Sequence, residues 1–359
     1  MATSLINNSM LDYYFTSQLP DLSWQTDCDS LGVMLCKVDN DECILSAELA
    51  AVNGIVKLWE VRESVERWMR HQGLAQVDMY VRWREPGSGV FGRYKNLHVY
   101  YCTKNMPMSC LAWLKNHFLT TIQSKPLPGE TDSELLSFVN TSSEALTPLV
   151  TATCRLTTGE VRLVTLDDYC ATIPVDASLI RRISWNIVDL KAAVIAEEPT
   201  AEEVLAVAIT VGGRTMTYYK PAVPANAKFR FKNCFGVIEL AWLNCVTTTK
   251  TKDGRKVAQV ARRATLYDLD VTVTHEVETA PLPLAVANWL AQLVTAPQAW
   301  LDVSEPILIT DGETSISDDA AVMNTVKFTW QRDDARDAME LTPADVNIFV
   351  KPPFSHQFD

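Results

Sequence analysis

Long strands of alternating apolar and polar residues, with one short amphipathic helix among them, run through positions 227–331 and limit what this chain can fold into more than any other feature. Val271, Val273, His275 and Val277 share one side, and Thr272, Thr274 and Glu276 share the other. Further on, Val326, Phe328 and Trp330 alternate with Lys327, Thr329 and Gln331. Successive side chains of a strand point to opposite faces, so a period of two predicts strands with one buried and one wet face. No catalytic grouping interrupts the pattern. It points to architecture and contact surface.

A chain of 359 residues has room for roughly two or three domains. Its 47% apolar and 21% charged residues are those of a folded protein with real cores. No apolar run approaches the roughly 20 residues of a membrane-spanning helix. The start, Met1-Ala-Thr-Ser-Leu-Ile, lacks the basic and apolar segments of a secretory signal, which predicts folding in the cytoplasm. Nine scattered cysteines without Cys-x-x-Cys spacing argue against a disulfide framework or a zinc cluster. A net charge of −12, with basic residues only in pairs such as Arg181-Arg182 and Arg262-Arg263, argues against nucleic-acid binding.

The predicted fold class is mainly β, in β-sandwich or β-barrel-like modules with a few short helices, and multi-domain. Residues 1–120 read as a β-rich α+β module. Strands are predicted over Leu31–Lys37 and Glu42–Leu49, and Asn53-Gly54 has the chemistry of a tight turn that needs positive φ. Leu58, Val61, Val65, Trp68 and Met69 recur at helical spacing, with Gly73 placed to end the helix. Ser109 is the expected N-cap of a second helix. Residues 121–147, containing Lys125-Pro-Leu-Pro-Gly, read as a linker or long loop. A β module is predicted over 148–222, with a tight hairpin at Gly212-Gly213, and another with one helix over 223–340. In the latter, Lys252-Asp-Gly-Arg is the expected turn between two long strands, and Pro283 opens the helix. Residues 341–359 read as an extended tail.

Gly87-Ser-Gly89-Val-Phe-Gly92 matches the dinucleotide fingerprint in letters only, because the sequel Arg93-Tyr-Lys-Asn-Leu-His-Val reads as strand instead of helix. A hairpin loop fits better, so Gly87, Gly89, Phe91, Gly92 and Arg93 form a candidate contact loop. The five histidines show no metal-ligand spacing, and no nucleophile elbow or phosphate loop occurs. Asp268-Leu-Asp270 places two carboxylates on one strand face, which keeps an enzymatic reading open. The expectation from the residues is nonetheless no catalytic, cofactor or metal site. Ten tryptophans fit core packing, with sugar platforms or subunit interfaces as the sharper alternative.

The order of elements from Phe229-Arg-Phe231-Lys-Asn-Cys-Phe235-Gly236 through Pro297-Gln-Ala-Trp300 and Pro306-Ile-Leu-Ile-Thr-Asp to Val326-Lys-Phe-Thr-Trp330 resembles bacteriophage tail-tip or baseplate structural proteins. The resemblance covers about residues 225–332. It implies a non-enzymatic virion component, made in the host cytoplasm, that acts through self-assembly as a homo-oligomer and through contacts with other tail proteins. A carbohydrate-binding or adhesin-like β protein that meets host surface glycan is the alternative.

Overall fold

The computed structural model describes residues 3–6, 10–129, 133–142, 144–167, 169–175, 179–260, 263–302, 304–319 and 322–332, the side chains of 256–270 excepted. The expected tail 341–359 lies outside the described residues. The protein is mainly β, built from several sheets with a few short helices.

The first core joins two sheets and a helix. Strands Tyr13–Phe15, Leu97–Tyr100, Gln76–Arg84, Ser30–Lys37 and Cys43–Ala50 pair in that order. Helix α1 (Val61–Gln72) buries Val61, Val65 and Met69 beneath them, while Arg62, Glu63 and Arg67 stay on the outer side. Gly73 ends α1 at φ 68°, where its N–H and that of Leu74 bond the last carbonyls. Asn53 and Gly54 both take positive φ, as a type I′ turn requires. Helix α2 (Cys110–Asn116) starts at Ser109, whose hydroxyl accepts from the Ala112 N–H.

The second core lies between a five-stranded sheet, a two-stranded sheet and helix α3 (Ile187–Glu197). Gly212-Gly213 makes the tight hairpin between Ala201–Val211 and Arg214–Tyr219, with Val211 opposite Arg214. The expectation of a linker over 121–147 is corrected here. Ser124–Pro126 adds to this sheet in parallel with Thr217–Tyr219, and Ser133–Val139 pairs with Ile180–Asn186. Turn-forming residues concealed both strands, because Lys125 and Glu134 are buried by distant partners that local composition does not reveal.

The third core is a barrel. Strands Ile238–Leu243 and Cys245–Val260 stand at opposite ends of a seven-stranded order, yet only Asn244 separates them along the chain. The sheet thus curls back on itself through one bent strand that supplies both of its end strands. Asn226 secures the bend: its amide donates to the Cys245 carbonyl (2.8 Å) and accepts from the Cys245 N–H (2.9 Å). Phe229, Phe231, Ala241, Leu243, Val277, Val326 and Phe328 pack inside against Trp289, Leu290 and Leu293 of helix α4 (Leu284–Val294).

The expected turn at Lys252-Asp-Gly-Arg is also corrected. Strand Cys245–Val260 runs straight through it and pairs with Arg263–Thr279, setting Asp253 opposite Val271 and Gly254 opposite Asp270. A two-residue turn at Asp253-Gly254 would have set Lys252 directly against Arg255, and like charges so placed repel. In the observed register Lys250 instead reaches Glu276 across the strands.

A fourth cluster ties the three cores together. Phe15, Tyr100 and Cys102 from the first meet Leu114 of α2, Val139 from the second, and Cys234, Phe235 and Val237 from the third. All nine cysteines are free thiols, and seven of them are buried, where each acts as a small apolar side chain.

Candidate contact surfaces

The Gly-rich loop joins strands Gln76–Arg84 and Phe91–Arg93, with Gly87 at φ 72°. Cross-strand register sets Arg82 opposite Arg93 and Arg84 opposite Phe91, so all four side chains share one face with Tyr80. On that face Arg82 and Arg84 lie over the Phe91 ring at 4.9 and 5.6 Å, and Arg93 lies over Tyr80 at 3.8 Å. Aromatic stacking fixes the guanidinium planes. Of the expected contact residues, Phe91 and Arg93 thus join this ladder, and Gly87 and Gly89 have open space around them.

Gly92 has a different task. It faces the other side, opposite Trp83, and a Cβ there would sit 2.3 Å from the Trp83 ring. Trp83 in turn packs beside Trp24 at 6.3 Å between ring centroids. Gly92→Ala therefore displaces Trp83 and is expected to cost about 1–3 kcal/mol. The check is the thermal midpoint together with tryptophan fluorescence; an unchanged emission spectrum would contradict the contact.

The second surface is the ribbon formed by Cys245–Val260 and Arg263–Thr279. Only its base is held: His275–Glu278 pair with Lys327–Trp330. From Lys250 and Thr274 outward the two arms pair only with each other among the described residues. At ~3.3 Å per residue this free part reaches about 40 Å. Its near stretch is exposed over Val246–Arg255, and Val271 is exposed where Val277, on the same side, is buried. Among the described side chains, the alternation that predicts one buried face is thus satisfied by this chain at the base of the ribbon. His275 stacks on Trp330 at 4.1 Å and bonds Thr249. Asp268 and Asp270 are placed in the outer ribbon opposite Lys256 and Gly254, and their side chains lie outside the described residues.

The titratable groups that the fold brings together sit elsewhere, in its interior. The Lys125 ammonium lies 2.9 Å from Glu239 Oε1 and 3.4 Å from Glu134 Oε1, with all three side chains at most 4% exposed. Trp242 Nε1 donates to Glu134 at 3.2 Å, and Trp289 Nε1 and Asn233 Nδ2 donate to Glu239 at 3.1 and 2.9 Å. Lys125 also lies over the Trp289 ring at 4.8 Å. Burial pushes the Glu134 carboxyl above its ordinary value, more than Lys125 and Trp242 pull it down. Burial works against the Lys125 ammonium, but the Glu239 and Glu134 carboxylates outweigh it and hold its pKa up. Three ionisable side chains thus share one buried site, where any charge left without its partner is costly. The cluster locks the 121–139 segment to the barrel. Sequence reasoning missed it, and the one available signal was a charged residue inside a Pro-rich stretch flanked by apolar positions.

No family model matches the chain, and no curated protein matches it. Among solved structures, the plexin A4 extracellular region aligns over 94% of this chain and 40% of its own, at 10% identity and TM-score 0.22. Native Escherichia coli alpha-2-macroglobulin aligns over 77% of this chain and 21% of its own, at 9% identity and TM-score 0.20. Methylamine-reacted Salmonella alpha-2-macroglobulin gives 92%, 20%, 12% and 0.21 in the same order. The chain spans less than half the length of each. Likeness at this level carries no argument about fold or function.

Proposed function

We propose that this chain is a structural subunit of a larger assembly, of the kind found at a bacteriophage tail tip or baseplate. It is made in the host cytoplasm and works through self-assembly and contacts with neighbouring tail proteins. The ribbon carries this reading. An isolated two-stranded hairpin is marginal in water, and one this long gains stability by lying on a partner. Its alternating face is buried at Val277 and Thr279 and exposed at Val271, and is suited to complete its burial on that partner. A closed symmetric ring of copies would present one ribbon to each neighbour.

Replacing residues 250–274 with Asn-Gly, which joins the paired residues Thr249 and His275, leaves the barrel closed. This variant is expected to fold as a monomer under conditions where the full chain sediments as an oligomer. Equal oligomer formation by both would overturn the role of the ribbon. A full chain that stays monomeric at every concentration would overturn the assembly reading and favour glycan binding, for which Trp59, 61% exposed beneath Lys57, offers a platform.

A further inference from the structure

The arginine ladder has a partner chemistry that its own chain does not supply. Arg82 and Arg93 are directly opposite across the strands, an arrangement of like charges that costs stability unless an anion joins them. Among the described residues, no ion pair is recorded for Arg82, Arg84 or Arg93. The Arg93 guanidinium donates to the neutral Asn96 amide oxygen at 3.1 Å, and Arg82 Nε has no hydrogen-bond partner. This occurs in a chain of 44 acidic and 32 basic residues, where several surface cations find carboxylates: Lys95 with Asp12, Arg155 with Glu203, Lys327 with Glu278. The neighbouring strand brings no neutralising group, because Arg84 lies across from Gly32 and Arg82 across from Met34. Asp41, the nearest acid on the Tyr80 side, accepts from the Tyr80 hydroxyl at 2.7 Å.

Backbone geometry adds a second constraint. Phe91–Arg93 pairs with Arg82–Arg84 on one side, and no strand lies on its other side among the described residues. An open edge accepts an extended chain through main-chain hydrogen bonds. Alternate side chains of an extended chain repeat every ~7 Å, the same repeat that separates Arg82 from Arg84 along their strand. A segment added at this edge thus presents every second side chain to the guanidinium face in register. Carboxylates at those positions make charge-assisted, bidentate contacts with the fixed guanidinium planes.

We propose that this face and edge receive an extended acidic segment of a partner protein, with carboxylates at every second residue. The proposal rests on the assembly reading and names the chemistry of one contact within it. An anionic glycan offers the charge but not the backbone pairing, so the observations favour the peptide.

The test uses the full-length protein and three probes: a labelled peptide of alternating Glu and Thr, a peptide of the same composition with its Glu residues in one block, and polygalacturonate. The alternating peptide is expected to bind about ten-fold tighter than the blocked one, and its affinity to fall as salt rises. The Arg82→Gln/Arg84→Gln variant is expected to lose about ten-fold or more in affinity with its urea midpoint retained. Arg93→Gln, a change on the exposed short strand, is expected to weaken binding in the same direction and guards against misfolding of the double variant. Equal binding of the two peptides, no binding of either, or tighter binding of polygalacturonate would overturn the proposal. None of these results bears on oligomer formation through the ribbon, which sedimentation of the shortened variant reads separately.

Discussion

Lys125→Met is expected to cost the fold about 3–5 kcal/mol at pH 7 to 8, and much less near pH 5. Methionine fills a similar volume but leaves Glu134 and Glu239 facing each other in the interior without their cation. Both carboxyls must then be protonated on folding, which is cheap in acid and costly at neutral pH. The wild-type protein shows the same sign more weakly. The folded-state pKa of Glu134 is raised above its ordinary 4.5, so its contribution is fully present below that value and is lost as pH rises through the raised one. The raised Lys125 pKa acts in the same direction at alkaline pH. Urea unfolding of both proteins at several pH values provides the check. A penalty that does not change with pH would show that the loss is one of packing and not of charge.

Arg214→Met is expected to destabilise the protein by roughly 3 kcal/mol, and Arg214→Lys is not expected to restore it. Arg214 is 2% exposed, and among the described residues it meets no carboxylate. Its guanidinium donates to the Leu114 carbonyl at the end of α2, to Val139 at 2.7 Å and to Val211 at 3.3 Å, and lies over the Phe138 ring at 5.3 Å. Burial pulls its pKa down to about 10, so it remains charged at neutral pH. One planar group thus satisfies a helix end and two strand ends from different parts of the chain. An ammonium cannot span the three carbonyls, which is why lysine fails. A lysine variant with wild-type stability would show that charge alone suffices there.

These two positions show how far local signals reach. The tight hairpin at Gly212-Gly213 is readable from two glycines between alternating runs, but nothing nearby shows that the next residue, Arg214, is buried. In the same way, Gly92 reads as one more flexible glycine until Trp83 is found across from it. Phe91 and Arg93 were legible as candidate contact residues, although they lie on the returning strand and not in the loop. Their partners Arg82 and Arg84 were not, since register and not spacing brings them together.

The sequence by itself determined the β class, the helix over Val61–Gln72 with its glycine stop, the Ser109 cap and the tight turns at Asn53-Gly54 and Gly212-Gly213. Each follows from side-chain periodicity or from the backbone angles a few adjacent residues prefer, and such preferences act over one turn or one pleat. Only the tertiary structure decided that Ser124–Pro126 and Ser133–Val139 are strands with Lys125 and Glu134 buried, that the strand passes through Asp253-Gly254, and that the barrel closes through Asn244. Those outcomes depend on charge pairs and strand register between residues far apart in the chain, and their free energy exists only once the distant partners have met.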